Sequence, residues 1–289
     1  MQTSFDQSIF ENRPQQIDYD RIDGLHYLGN YVRRLPVSLA RMMENAHDWE
    51  HLPHVHKTSF ASIDCVDAGP WGWRAKADLP EASGGGTQHF DLLVDNDRHY
   101  WATTLLAGPG TGVEIHTQAT EIAADEIEVD VRFYVPEALP DPAVGDFVLS
   151  QLQTQYKTLY DEDLGLMSGR AAALDDRRKW RANPSAEWPI HVGPVASLDK
   201  MQVHLFDVPG GRVCVRHYGG QWMTHSATCP HLLGPLNESA ISDDGKLTCP
   251  WHGYQFNAAT GESADGKCRA LDQLARLEER DDAYWLVAV

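Results

Sequence analysis

Two short motifs constrain this chain more than any other feature of its sequence. Cys229-x-His231 is followed, after seventeen residues, by Cys249-x-x-His252. Two thiols and two imidazoles on two loops can bind one zinc ion, or a [2Fe-2S] cluster in which one iron takes both thiolates and the other takes both imidazoles. Proline after each cysteine and glycine after each pair let the backbone approach a cluster closely and donate N–H groups to its sulfides. We therefore predict a [2Fe-2S] cluster, with a structural zinc site as the alternative.

Composition and charge narrow the class of protein. The chain of 289 residues has 24 basic and 42 acidic side chains, and its net charge of −18 excludes nucleic acid as the main partner, because phosphate binding needs a basic face. The other cysteines, Cys65, Cys214 and Cys268, form no second C-x-x-C motif and are interpreted as ordinary buried thiols. The sequence shows neither a secretory signal nor an apolar run of membrane-spanning length, so we expect a cytoplasmic protein with no membrane partner.

The residue pattern changes along the chain and predicts two domains. Residues 143–174 have helical spacing, whereas the β-branched and aromatic segments before them are separated by turn residues and are typical of an antiparallel sheet. A sheet that grips one long helix encloses a concave site. After a charged stretch at 175–191, the last hundred residues are typical of an all-β domain. The predicted fold is α+β, with a helix-grip domain over residues 1–183 and an all-β domain over residues 187–289. The predicted strands of the sheet include residues 89–94, 100–106, 112–119 and 126–134.

A histidine-rich segment in the first domain suggests a second metal site. The spacing predicts a helix over residues 36–51, on which Asp48 and His51 share one face. Pro53 is expected to end this helix and let the chain turn His56 back toward His51, so that two imidazoles converge. His54 stays open as an alternative to His56.

A carboxylate on the long helix could complete that site. Asp163 interrupts an apolar stripe, where a charge is costly unless it is paired or bound to a metal. Asp161 and Glu162 lie off the stripe and are expected to be solvated, although Asp161 stays open as an alternative ligand. Two histidines and one carboxylate form the facial triad of non-haem Fe(II) sites, which leaves open positions for oxygen.

The cluster motif resembles that of the Rieske iron–sulfur family, and the resemblance covers about residues 187–289. It extends into Tyr254-Gln255-Phe256 and Thr260-Gly261-Glu262. Gly234 and Trp251 stand where respiratory members of the family carry an extra disulfide-forming cysteine. The resemblance therefore implies the low-potential centre of an oxygenase or of its ferredoxin. The cluster ligands that it implies are Cys229, His231, Cys249 and His252.

The first domain resembles the catalytic domain of Rieske non-haem iron oxygenases in two motifs. These are Asn45-x2-Asp48-x2-His51-x4-His56 and Tyr160-x-Glu162-Asp163. The resemblance implies a START/SRPBCC-like fold, in which a mononuclear Fe(II) is bound by His51, His56 and Asp163. It also implies that Asp48 bridges a histidine of this site to a cluster histidine, and it makes Asn45 a further catalytic candidate.

The order of the two domains is reversed relative to that family, as in a circular permutation. This reversal leaves open whether paired sites lie in one chain or in adjacent chains. The resemblance implies a homo-oligomer, with a trimer favoured.

Together these features predict a monooxygenase or dioxygenase with a role in aromatic catabolism. It would use O2, and electrons from a separate NAD(P)H-dependent reductase or ferredoxin, to hydroxylate or oxidatively demethylate an apolar or aromatic substrate. Aromatic side chains in the strand region offer apolar surface, and the sequence contains no phosphate-cradling glycine loop. The alternative is a Rieske electron-transfer protein fused to a ligand-binding domain without catalytic iron.

Overall fold

The computed structural model describes residues 7–182 and 187–289. The chain forms two compact units that divide between Met167 and Ser168. The sequence places the boundary further along, at 175–191. Residues 184–186, between the two predicted domains, lie outside the described residues. The division comes earlier because the end of the long helix packs within the second unit, where the Arg212 guanidinium lies over the Trp180 ring.

The first unit is built on one antiparallel sheet of seven strands, which confirms the predicted helix-grip arrangement. The sheet order is β1-β7-β6-β5-β4-β3-β2. Helices α1 (Leu39–His47) and α2 (Leu52–Val55) lie between the first two strands in the chain, and helix α3 (Pro142–Ala182) follows the last. The strands are β1 (His26–Leu35), β2 (Ser62–Gly69), β3 (Gly72–Asp78), β4 (Thr87–Asp95), β5 (Tyr100–Ala107), β6 (Glu114–Ala123) and β7 (Glu126–Val135).

The predicted helix over residues 36–51 is wrong in its extent. Helix α1 ends at His47, because Asp48 adopts an extended conformation at its C-cap. His51 is instead the N-cap of the separate helix α2. Pro53 does not end a helix: it lies in the first turn of α2, where the missing N–H costs nothing.

The inner face of the sheet forms the apolar core of the first unit. Trp73 and Phe90 are buried there, with their ring centroids 5.4 Å apart. The indole Nε1 of Trp73 donates to the carbonyl of Ala46 at 3.0 Å and so fixes α1 against the sheet. Where the core meets α3, the Phe133 ring packs edge to face against Tyr156 of that helix, with ring centroids 5.3 Å apart. These contacts enclose a concavity between the sheet and α3.

The outer face of the same sheet buries charges under the N-terminal segment. Asp91 is fully buried and accepts a hydrogen bond from Arg74 Nε at 3.0 Å, and it also pairs with Arg13 of that segment. Glu114, on the next strand but one, pairs with Arg21. Buried pairs of this kind tolerate the loss of one partner poorly, because the other charge is then left without compensation.

After the end of α3, residues 187–289 of the second unit form eight strands in three small sheets, which confirms the predicted all-β domain. The sheets are β11-β10-β9, β12-β13 and β14-β15-β8. The predicted hairpin forms between β9 and β10, and Gly210 has a φ of 92° in its turn, a conformation that favours glycine. The strands are β8 (Ile190–Pro194), β9 (His204–Val208), β10 (Gly211–Tyr218), β11 (Gln221–Ser226), β12 (Lys246–Thr248), β13 (Gln255–Asn257), β14 (Ala275–Arg280) and β15 (Ala283–Ala288). Of the helices in the described part of the chain, none has the length and apolar character needed to cross a membrane.

Candidate functional site

Three ligand-type side chains meet at one end of the concavity in the first unit. His51 Nε2 lies 3.2 Å from His56 Nε2, and Asp163 Oδ1 lies 3.4 Å from the first atom and 3.1 Å from the second. All three residues are buried. Elsewhere in residues 7–182 and 187–289, no other group of three histidine, cysteine or acidic side chains brings its ligand atoms so close together.

Local structure explains why the two histidines converge. His51 and His56 are the N-cap and C-cap of α2, a helix of four residues, so they lie at opposite ends of one helical turn. Their rings meet edge to face, with centroids 5.1 Å apart. Asp163 comes from α3, more than a hundred residues later, and the gripping of the sheet by α3 brings it there.

The three donor atoms fit one face of an octahedral ion. Ligands at about 2.1 Å from such an ion, and at right angles to each other, lie about 3.0 Å apart. The observed separations of 3.1–3.4 Å are close to that spacing. The arrangement can therefore hold one metal ion by three cis ligands, which is the requirement of a 2-His-1-carboxylate site.

Each imidazole also has a carboxylate on its far side. Glu162 Oε2 lies 2.8 Å from His56 Nδ1, and Asp48 Oδ2 lies 3.6 Å from His51 Nδ1. A hydrogen-bonded carboxylate such as Glu162 fixes the orientation of a ligand ring and makes it more basic, whereas Asp48 lies beyond hydrogen-bond distance and acts on His51 through its charge. The expectation that Glu162 is merely solvated is wrong, because α3 turns its side chain toward His56. No stripe or motif spacing signals that role, since it depends on the tertiary position of His56.

The alternative ligands lie outside this cluster. Asp161 is exposed, as predicted, and its carboxylate pairs with Arg33 at 2.6 Å and Lys157 at 2.7 Å. His54 does not belong to the group of converging ligand atoms either.

Electrostatics favour a protonated histidine when no metal is bound. Burial lowers the pKa of His51, but the facing carboxylates of Asp163 and Asp48 outweigh this effect and raise that pKa to about 10. Burial raises the pKa of Asp163, yet His51 and His56 hold it well below its usual range. A metal cation could replace the proton of His51 as the positive charge beside Asp163.

A cavity of about 140 Å³ opens directly onto the three ligand atoms. Its walls are mainly apolar and aromatic, which is typical of a site for an organic molecule. The side-chain oxygen of Asn45 is buried at this cavity and accepts no hydrogen bond from the described residues, so it could accept one from a bound molecule. The aromatic side chains of the cavity wall are Phe60, Trp73, Phe90, Trp101, Tyr156 and Tyr160.

In the second unit, the two cluster motifs form loops of matching geometry. The N–H of Cys229 donates to the carbonyl of Gly234, and the N–H of Cys249 donates to that of Tyr254, both at 2.8 Å and both five residues ahead. In each loop the fourth residue after the cysteine has a positive φ, 65° at Leu233 and 69° at Gly253. The repeated geometry presents one Cys–His pair from each loop.

The residues on these loops fit a two-iron cluster better than one zinc ion. The rings of His231 and His252 pack edge to face with centroids 4.6 Å apart, and both thiols are buried. A hydrogen bond from Cys229 lowers the pKa of the Cys249 thiol and so favours its thiolate form. Among these four described residues, no three bring their ligand atoms all within 4.8 Å of one another, as the ligands of a single ion would. A cluster with separate thiolate and imidazole irons explains that spacing.

The positions around the loops are tightly packed. A Cβ atom on Gly234 would lie 2.6 Å from Cys249 Sγ, so a side chain there would displace a cluster ligand. All five cysteines are free thiols, but only Cys214 of the three outside the motifs is buried. Cys65 and Cys268 are partly exposed, because each lies near the surface of its unit, which corrects the expectation of buried thiols.

Comparison with known proteins agrees with this geometry. Residues 188–278 match the family described as Rieske [2Fe-2S] domain. Flavonoid 8-hydroxylase 2 of Ocimum basilicum is 37% identical over 92 residues, which are 30% of this chain and 17% of the hydroxylase. Protochlorophyllide-dependent translocon component 52 of Arabidopsis thaliana is 34% identical over 100 residues, or 34% of this chain and 16% of that protein. The matched part of the chain thus spans about one sixth of the length of these relatives.

A solved structure is similar to about half of the chain. A START superfamily protein from Mycobacterium smegmatis covers 49% of this chain and 99% of its own, with a TM-score of 0.41 and 16% identity. The family match and the observed arrangement of strands and helices therefore agree on the domain organisation of the chain. Residues 188–278 carry the match to the Rieske [2Fe-2S] domain, and they follow a helix-grip domain built on one antiparallel sheet.

Proposed function

We propose that this protein is a Rieske-type oxygenase that hydroxylates or oxidatively demethylates an apolar or aromatic substrate at a mononuclear Fe(II). The observation that carries the proposal is the triangle of His51 Nε2, His56 Nε2 and Asp163 Oδ1 at the wall of an apolar cavity. The relationship of the second unit to a hydroxylase adds to it, although that similarity covers a small part of the relative.

The residues of the first unit would hold the metal and exclude water from it. When bound, Fe(II) with open positions supplies oxygen binding and activation. Glu162 would orient the ring of His56 from behind, and the carboxylate of Asp48 would place a negative charge beside His51. Burial raises the pKa of Tyr156 and of Tyr160, so both phenols stay neutral and can form the cavity wall without adding charge. Asn45 would accept a hydrogen bond from the bound substrate.

Electrons would reach the first unit through the Rieske domain, from a separate reductase or ferredoxin. A [2Fe-2S] cluster transfers one electron at a time, and its thiol ligands must stay reduced before assembly, which favours a reducing compartment such as the cytoplasm. We propose Asp48 as the residue that links a ligand histidine to a cluster histidine. Asp48→Asn is expected to retain its iron and its cluster but to form much less product per electron. Full product formation would contradict this role.

Metal analysis tests the proposal directly. We expect three irons and two sulfides per chain, and two of each in His51→Ala and Asp163→Ala, whereas Asp161→Ala should match the unaltered protein. Two irons per chain in the unaltered protein would instead support an electron-transfer protein fused to a ligand-binding domain. Substrate-dependent O2 uptake by the reduced protein, with ¹⁸O2 to count the oxygen atoms transferred, would then separate monooxygenation from dioxygenation.

A further inference from the structure

The cavity at the ligand triangle is the first of three chambers in a row. The first chamber has a volume of about 140 Å³ and the second of about 340 Å³. Five side chains line both chambers, so the two adjoin each other. The shared side chains are Phe60, Phe90, Thr103, Tyr156 and Leu159.

The third chamber continues the row and differs in chemistry. Its volume is about 390 Å³, and it shares Phe60, Gln88 and Gln155 with the second. The second chamber is mostly aliphatic, with Leu105 and Val113 among its wall residues, whereas hydroxyl and amide side chains dominate the third. Gln88 is held in place by its hydrogen bond to the carbonyl of Pro109 at 2.7 Å. Polarity therefore changes from apolar to hydrogen-bonding along the row.

The row also has a pattern of charge. Among the described residues that line the second and third chambers, the only ionisable one is Tyr156, whose pKa is raised by burial. The acidic residues of the row all line the first chamber. The third chamber is partly open to solvent, because Thr58, Ser83 and Gln151 in its wall are exposed. A charged group there would lose only part of its hydration but would find no counter-ion in the wall, which is unfavourable. A neutral hydroxyl, carbonyl or amide could instead exchange its water hydrogen bonds for those of the glutamine side chains.

We infer that the ligand of this channel is an elongated, neutral molecule with an apolar body and one uncharged hydrogen-bonding end. The apolar body occupies the second chamber, and the polar end meets Gln88 and Gln155. The opposite, apolar end enters the first chamber beside His51, His56 and Asp163. The inference rests on the proposed function where it makes that apolar end the site of oxidation, but the class of ligand follows from the channel itself.

A matched set of probes tests this class. Four compounds share a naphthalene ring on a six-carbon chain that ends in an alcohol, a primary amide, a carboxylate or an ammonium group. Their dissociation constants are measured by calorimetry on the full chain with its cluster. We expect the alcohol and the amide to bind at least tenfold more tightly than both charged probes. Equal affinities across the set, or tighter binding of a charged probe, would overturn the inference.

A variant at the junction of the second and third chambers locates the polar end of the ligand. Gln155→Glu places a negative charge between the second and third chambers and is expected to raise the affinity for the ammonium probe, relative to the alcohol, at least tenfold. Ser150→Glu adds the same charge to an exposed position of α3 outside all three chambers and should leave the ratio unchanged. An unchanged ratio in Gln155→Glu would overturn the placement of the polar end, and the probe set on the unaltered protein stays decisive for the class.

Binding and iron content are measured on the same samples, so the two proposals can fail separately. Selective binding with only two irons per chain would refute the oxygenase and leave the ligand class standing. Three irons and substrate-dependent O2 uptake without selectivity would refute the ligand class alone.

Discussion

The most informative perturbation concerns two neighbouring carboxylates of α3. Glu162 lies 2.8 Å from His56 Nδ1, whereas Asp161, one residue before it, pairs with Arg33 and Lys157 at the surface. Glu162→Gln removes a charge beside a proposed metal ligand and keeps the size of the side chain. Asp161→Asn removes the same charge one residue away. Only the first change is expected to affect the metal.

The magnitude follows from the contact. A hydrogen bond with a charged partner contributes about 1.5–3 kcal/mol. The Glu162 side chain is 28% exposed, so solvent screens part of this energy and the lower end applies. We therefore expect Glu162→Gln to weaken metal binding by about 1.4 kcal/mol, which is roughly tenfold and at the lower end of the range of about 10–100-fold for outer carboxylates.

Cobalt(II) titration of protein lacking mononuclear metal, followed by the visible absorption of the bound ion, measures this loss. The absorption of the cluster in the same spectra reports that the second unit is intact. Asp161→Asn should bind cobalt as the unaltered protein does. Unchanged affinity in Glu162→Gln, or an equal loss in both variants, would refute the assignment of Glu162 as a support for His56.

Three further outcomes follow from the geometry. Without metal, the pKa of His51 is raised from 6.5 to about 10, so below pH 10 a metal ion must displace the proton of His51. Cobalt affinity should therefore rise about tenfold per pH unit between about pH 7 and 9. An affinity that does not change with pH would contradict this. Gly234→Ala should lower the sulfide content per chain at least twofold, because the added Cβ overpacks the space beside Cys249 Sγ and overpacking costs about 1–3 kcal/mol. In the control Gly24→Ala, the added Cβ meets open space and should have no effect. Asp91→Asn should lower the free energy of unfolding in urea by about 3 kcal/mol, because it leaves the buried charge of Arg74 without compensation. Asp64→Asn removes an exposed charge and should have little effect. A similarly small effect of both substitutions would show that the buried charges of the outer face are not coupled.

The sequence alone was sufficient for the parts of the protein that are local in the chain. Each Cys–His pair of the Rieske domain lies within four residues, so the motif carries its own loop geometry and its own chemistry. Four of the seven strands of the first unit, β4 to β7, were also predicted, because β-branched and aromatic residues bounded by turn residues are a property of each segment. The convergence of His51 and His56 was expected for the wrong reason: a single helix broken by Pro53 was predicted, and the two residues instead cap the ends of α2.

Only the tertiary structure decided the features that depend on distant segments. The role of Glu162 could not be seen in the sequence, because its partner His56 lies more than a hundred residues earlier and on another element. The same holds for the three chambers; the wall of the second, for example, combines strands β4 to β7 with α3. A sequence specifies which side chains are available and how they are spaced along one element. The distances between elements, and hence the ligand triangle, the supporting carboxylates and the polarity of the channel, follow from how the sheet packs against its helix.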